Sequence, residues 1–300
     1  MTATDTGARR STTPATWLGR IAVGSVLAFF VLFFLIPIAW LIIGSGKTAR
    51  DLITTGPFQP GSLQALVDNW NSLASFQDGI VFTWLGNSVF YSLSALVITL
   101  VTSIPAGYAM ALGDFRGRKA LLFTTLVVML IPNTALVLPI FLELSAAKLI
   151  GSPLAVILPF SFFPFGVYLT YIYFSTSIPR DLLAAARIDG CSELGVFCRI
   201  ALPLATPVVA LVGFFGFVAN WNNYFLPFLT VPGRRAPIQV GLTELLSNVP
   251  AFNPTALGVT SIQLPALALA TLLSVLPVLL IFLFSQRFLV EGMTAGGTKE

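Results

Sequence analysis

The chain of 300 residues is 56% hydrophobic and 9% charged, whereas soluble domains carry roughly 25% charged residues. This composition excludes an ordinary soluble domain and indicates a protein that crosses the membrane several times. The excess of 16 Lys and Arg over 12 Asp and Glu is typical of cytoplasmic loops in such proteins, so we do not expect nucleic-acid binding. The chain has no His, the commonest metal ligand, and we expect no metal site.

Six apolar runs are long enough to cross a bilayer, which requires about 20 helical residues. They lie at residues 21–43, 87–112, 120–142, 154–174, 205–231 and 264–284. Every run contains proline, which a helix bundle tolerates because neighbouring helices and hydroxyl side chains bind the freed carbonyls. The predicted fold class is therefore all-α, a polytopic membrane protein with six transmembrane helices.

The distribution of basic residues predicts the orientation. Most Lys and Arg residues fall on one side of the membrane when both termini are placed in the cytoplasm. We therefore predict a disordered cytoplasmic lead at residues 1–16, a transmembrane domain at residues 17–289 and a cytoplasmic tail at residues 290–300. The first run is longer than the core of a signal peptide and is predicted to be a retained span.

Residues 44–48, Gly-Ser-Gly-Lys-Thr, look like the end of a phosphate-binding loop. Leu41 occupies the place of the first glycine, and a predicted membrane helix precedes the segment where such a loop requires a strand of a soluble fold. Without His, a catalytic set is not visible either. We therefore expect that the chain is not an enzyme and does not hydrolyse ATP. Because the spans are almost free of ionisable groups, a proton-coupled carrier acting alone is disfavoured.

Polar residues within the spans are neutral amides beside aromatic side chains. Such a set suits a wet cavity for a polyhydroxylated, uncharged solute, and hydrogen bonding between helices explains it equally well. The candidates for the substrate path are Asn133, Asn220, Trp221, Asn222, Asn223 and Tyr224.

A charged segment at residues 178–207 separates the fourth and fifth apolar runs. Pro179 suits the first turn of a helix, Asp189-Gly190 suits its end, and Ser192 can cap a second helix. The segment predicts a helix-turn-helix hairpin on the cytoplasmic face. Its cysteines, Cys191 and Cys198, are expected to be free thiols in that reducing compartment.

The first hairpin helix combines slim alanines, apolar anchors and a charged rim, a composition suited to docking into a groove on another protein. A helix lying passively on the headgroups is the alternative. The candidate docking residues are Asp181, Leu182, Leu183, Ala184, Ala185, Ala186, Arg187, Asp189 and Gly190.

Residues 184–190, Ala-Ala-Ala-Arg-Ile-Asp-Gly, resemble the EAA loop of binding-protein-dependent ABC importer permeases. Further segments are similar, in order and spacing, to the second permease of the maltose-type sugar branch: residues 87–89, 106–109, 114–119, 131–132, 219–223 and 286–297. The glutamate of the family corresponds to Ala184. A carboxylate at this position could pair with Arg187, so that contact is either missing or supplied by another residue, for which Asp181 is the candidate.

The resemblance implies a permease subunit of an ATP-driven importer for a mono- or oligosaccharide in the bacterial plasma membrane, coupled through residues 178–203. The implied partners are a second homologous permease, an external sugar-binding protein and two copies of an ATPase subunit. ATP and Mg²⁺ would bind to the ATPases, and this chain would hold no cofactor. The alternative is an ion-coupled secondary carrier or an intramembrane enzyme acting alone.

Overall fold

The computed structural model describes residues 14–253 and 262–294, and every regular element in these ranges is helical. The predicted lead and tail fall largely outside them. The α-helices of the described residues are α1 Pro14–Ser45, α2 Ala49–Thr54, α3 Leu63–Ser75, α4 Ile80–Leu112, α5 Arg118–Met129, α6 Asn133–Ala146, α7 Leu154–Ser161, α8 Pro164–Thr176, α9 Arg180–Ile188, α10 Glu193–Val196, α11 Leu202–Leu204, α12 Thr206–Trp221, α13 Phe225–Thr230, α14 Ile238–Ser247 and α15 Leu264–Thr294.

Four segments of the described chain are long and apolar enough to cross a membrane as they stand: Gly19–Ser45, Ile80–Leu112, Leu154–Thr176 and Leu264–Phe288. Two bent pairs raise the number to six if each pair is one span. The predicted span at residues 120–142 consists of two helices, α5 and α6, which meet at 105°. Pro132 lies at this bend, and a residue before proline is disfavoured in the α conformation.

The predicted span at residues 205–231 is likewise interrupted. Its helix α12 ends at Trp221, and at its start the segment Glu193–Leu204 meets α12 at 79°. Pro207 has no N–H for the carbonyl of Pro203, and the Thr206 hydroxyl donates to that oxygen instead, at 2.7 Å. The Tyr173 hydroxyl of α8 donates to the Leu204 carbonyl at 2.9 Å. Side chains thus satisfy the backbone at the bend.

Helix α4 runs through two hydrophobic clusters and joins the two ends of the bundle. One cluster contains Trp84, Phe217 and Trp221, and the other contains Ile104 together with Phe174 of α8. Where α4 crosses α8, Gly107 lies directly against Thr170. Small residues allow such close approach of membrane helices.

The glycine-rich segment after α1 is an ordered structural turn. Lys47 is 1% exposed, and its Nζ donates to Thr55 Oγ1 at 2.9 Å and to the Gly56 carbonyl at 2.7 Å. The Asn69 side chain of α3 donates to the carbonyls of Ser45 and Lys47. The ammonium group is therefore engaged by its own loop.

Candidate coupling hairpin and translocation path

Helices α9 and α10 form the predicted hairpin. Gly190 has a φ of +84°, a left-handed conformation that favours glycine. The N–H of Cys191 donates to the Ala186 carbonyl at 3.0 Å, and that of Gly190 to the Arg187 carbonyl at 3.1 Å, which is the Schellman pattern that ends a helix. The Ser192 hydroxyl accepts from the Gly195 N–H at 3.2 Å and caps α10. Turn and cap agree with the sequence prediction.

The nine predicted docking residues divide into two groups. Leu183 and Ala186 are 1% and 7% exposed and pack within the chain, together with Val196 and Phe174. They hold the hairpin against the bundle, so their predicted place on the docking surface is corrected. The exposed members are Asp181, Leu182, Ala184, Ala185, Arg187, Asp189 and Gly190.

Two apolar residues of the exposed face were missed. Ile188 is 86% exposed and Leu194 is 72% exposed. Ile188 follows Leu182 and Ala185 at helical spacing, so these three side chains share one face of α9. That periodicity was the available signal. An exposed apolar row on a short polar hairpin marks an interaction surface.

An ion pair joins the two arms of the hairpin. Arg187 Nε lies 2.6 Å from Glu193 Oε1, and Arg187 Nη2 donates to Glu193 Oε2 at 3.1 Å. This hydrogen bonding holds the pKa of Glu193 below its ordinary value and raises the pKa of Arg187. Glu193, rather than the suggested Asp181, therefore supplies the carboxylate for Arg187.

Three breaks in the membrane helices surround a pair of clefts. The breaks separate α5 from α6, α7 from α8, and α12 from α13. One cleft of 470 Å³ and another of 200 Å³ share Asn133, Phe160 and Ala219 in their walls. Irregular backbone at membrane depth is tolerated where it is buried in protein or lines a cavity, and broken helices form the binding sites of many transporters.

A third cleft extends this space toward α14. It has a volume of 410 Å³ and includes Gln239, Thr243 and Thr271 in its wall. Tyr224 lines both this cleft and that of 200 Å³, and its ring stacks on Phe228 at a centroid distance of 5.6 Å. The two clefts therefore adjoin at one aromatic side chain.

The structure separates the six predicted path residues. Those that line clefts are Asn133, Asn222, Asn223 and Tyr224. Asn220 instead donates to the Gly216 carbonyl at 2.9 Å, and buried Trp221 donates to the Ser274 carbonyl at 3.0 Å. Asn220 also donates to the Phe160 carbonyl of α7 at 3.4 Å. Both residues therefore bind carbonyls of neighbouring helices, which corrects their predicted place in the path.

The Asn223 amide differs from its neighbours. Its Nδ2 atom is buried and has no hydrogen-bond partner among the described residues. A buried amide donor without a partner is costly. Among the described residues that line the clefts of 200 and 410 Å³, none is charged. Hydroxyl and amide groups therefore dominate the polar chemistry of this space.

The family comparison assigns the chain. Residues 103–295 match the model of the binding-protein-dependent transport system inner membrane component. The chain belongs to this family. It is accordingly a multi-pass membrane protein, and the predicted membership of this family is confirmed.

Three relatives of this inner membrane component each cover at least three quarters of its length. The arabinooligosaccharides transport system permease protein AraQ of Halalkalibacterium halodurans is 31% identical, over 97% of this chain and 99% of its own. AraQ of Bacillus subtilis is 33% identical, over 93% and 96%. The maltodextrin transport system permease protein MdxG of Bacillus subtilis is 33% identical, over 75% and 78%.

A solved structure is similar to the fold of this inner membrane component. It is described as a bacterial ABC transporter involved in the import of the acidic polysaccharide alginate. The TM-score is 0.77, at 23% identity over 92% of this chain and 98% of the other. The predicted all-α membrane fold is thereby confirmed.

The Arg187–Glu193 ion pair should lower the titration midpoint of the Glu193 carboxyl. We expect the Glu193 carboxyl to titrate below 4.5, its ordinary value, and R187Q to raise that midpoint. Because the pKa of Glu193 is lowered in the folded state, the pair contributes fully to folding stability at pH values above the ordinary pKa. That contribution is lost as the pH falls through the lowered pKa. Carboxyl NMR of the labelled chain measures both midpoints, and equal midpoints would contradict the ion pair.

Proposed function

We propose that the chain is the permease subunit of an ATP-driven ABC importer for an uncharged mono- or oligosaccharide. The observation that carries the proposal is the uncharged space at the three helix breaks, in a family member whose relatives are permeases for arabinooligosaccharides and maltodextrin. Hydroxyl groups of a sugar exchange hydrogen bonds readily with amides, and aromatic rings offer them apolar faces.

The importer would contain this chain, a second homologous permease, two ATPase subunits and an external sugar-binding protein. ATP and Mg²⁺ would bind to the ATPases, since the segment around Lys47 is a structural turn. Basic residues favour a cytoplasmic location for both termini and for the hairpin, in the bacterial plasma membrane. The chain would move sugar through alternating access and carry out no chemistry itself.

The hairpin would receive the movement of the ATPases. Its exposed apolar row, Leu182, Ala185 and Ile188, would dock into a groove on the ATPase surface. The buried side chains of Leu183 and Ala186 tie the row to the bundle. From α10 the chain leads through the bend at Ala205 into α12, which ends beside the clefts.

Cross-linking tests this docking. In an importer whose Cys191 and Cys198 have been replaced, L182C and I188C should cross-link to single cysteines on the ATPase. The matched variants L183C and A186C should not, because those side chains are buried. Equal cross-linking at all four positions would contradict the docked face.

Uptake into proteoliposomes tests the substrate class. The complete importer should take up neutral oligosaccharides and discriminate against sugars that carry a carboxylate or sulfonate. The reason is that the described residues lining the three clefts at the helix breaks include no cation to pair with such groups. Preferred uptake of an acidic sugar would overturn the substrate class. Ion-driven uptake by this chain alone would overturn the importer.

A further inference from the structure

The hairpin must move as one body if it is to transmit force. A partner would touch the exposed face of α9, whereas it is α10 that continues toward α12. Between the two helices lie only Asp189, Gly190, Cys191 and Ser192. The glycine has a positive φ and no side chain to stiffen it. Val196 of α10 packs in the same cluster as Leu183 and Ala186 of α9, but apolar packing does not fix orientation as paired hydrogen bonds do. A side-chain bond between the two helices would therefore carry movement of α9 to α10 more dependably.

The Arg187–Glu193 pair is placed to make that connection. Within the described part of the chain, no other side-chain hydrogen bond joins α9 to α10. Two parallel bonds between a guanidinium and a carboxylate fix both distance and orientation, which a single bond does not. The side chains are 40% and 69% exposed, so such a pair adds little to overall stability. The geometry of the pair suits the positioning of α10 relative to α9 better than the stabilisation of the fold.

The path beyond α10 is continuous. The π-helical stretch Phe197–Ala201 follows α10, and the Tyr108 ring of α4 packs against Phe197 at 4.9 Å. α11 and the bend at Ala205 then lead into α12. At the far end of α12, Asn222 lines the cleft of 200 Å³. A displacement of α10 therefore acts on an element that ends in the substrate space.

We propose that Arg187 and Glu193 are positioning residues that lock α9 and α10 into one lever and thereby couple ATPase movement to the opening of the clefts. Ala184 has no carboxylate for Arg187, and Glu193 supplies the charge from the second arm instead. This inference rests on the proposed function, since a lever needs an ATPase to move it.

The test measures sugar imported per ATP hydrolysed by the complete importer in proteoliposomes. E193Q should lower this ratio about fivefold, at the low end of couplings between protein sites, while complex assembly and the thermal midpoint stay unchanged. E143Q is the matched control, because Glu143 is an exposed glutamate on α6 without an ion pair to the described residues. Its ratio should equal that of the wild type.

A charge-exchange variant separates the ion pair from the glutamate itself. R187E/E193R should restore the ratio to within about twofold of the wild type, because the two charges still meet across the two helices. Rescue by this exchange supports the lock.

Two results would overturn the inference while the proposed function stood: a coupled wild-type importer whose E193Q variant is equally coupled, or an exchange variant as poorly coupled as E193Q. A wild-type complex that hydrolyses ATP without importing any sugar would instead count against the proposed function.

Discussion

Replacement of Ala219 by tryptophan should abolish sugar import while the importer still assembles. Ala219 lines both the 470 Å³ and the 200 Å³ cleft, and its own side chain is exposed. An indole at this position would occupy much of the smaller cleft without displacing a buried neighbour. We expect uptake into proteoliposomes to fall by about two orders of magnitude, equivalent to about 2.7 kcal/mol in activation free energy.

The matched control is A146W. Ala146 is exposed near the end of α6 and does not line the described clefts, so the same added volume should leave import nearly unchanged. ATP hydrolysis by the A219W complex should continue, because the hairpin is intact. Import by A219W at the wild-type rate would place the sugar path elsewhere.

Local interactions explain why the hairpin could be predicted from the sequence. A positive-φ glycine after Asp189 and a serine cap before Glu193 each depend on bonds within a few residues. The exposure of Leu182 and the burial of Leu183 depend instead on the neighbouring helices. Adjacent residues on a helix point about 100° apart, and composition alone does not identify the side that meets the bundle.

The substrate path shows the same limit. Asn220 and Asn222 are chemically identical in the sequence, yet Asn220 binds a carbonyl of its own helix, whereas Asn222 faces a cleft. The helix break after Trp221 separates their environments, whereas both residues fall in one predicted span at residues 205–231. Gln239 and Thr243 were missed because they lie on α14, between the fifth and sixth predicted spans.

The positions of proline in the sequence indicate where the spans bend but do not predict the bend angles. The 105° bend between α5 and α6 and the 79° bend before α12 depend on which side chains bind the freed backbone. Thr206 and Tyr173 do so at the second bend. The Thr206 bond is local, but Tyr173 comes from α8, a distant part of the chain. The topology was therefore predictable while the path geometry was not.

Alanine at position 107 should destabilise the whole bundle. A Cβ atom on Gly107 would lie 2.5 Å from Thr170 Cβ and 2.8 Å from the Tyr171 backbone nitrogen, well inside van der Waals contact. Helices α4 and α8 would have to separate along the crossing that organises the hairpin-side cluster. Overpacking of this kind costs about 1–3 kcal/mol in free energy of unfolding, and leucine at this position should prevent assembly.

Helix α4 offers its own control in Gly86, where an added Cβ has no neighbour within 4 Å. G86A should keep or slightly raise the thermal midpoint of the purified importer, since alanine favours helix, whereas G107A should lower it by roughly 5 °C. The double variant G107A/T170G should recover part of the loss, because it removes the closest opposing atom. Equal midpoints for G86A and G107A would show that the two helices are not in close contact at this crossing. The hairpin anchors Leu183 and Ala186 pack in the same cluster, so G107A should also loosen the hairpin and lower the sugar imported per ATP hydrolysed.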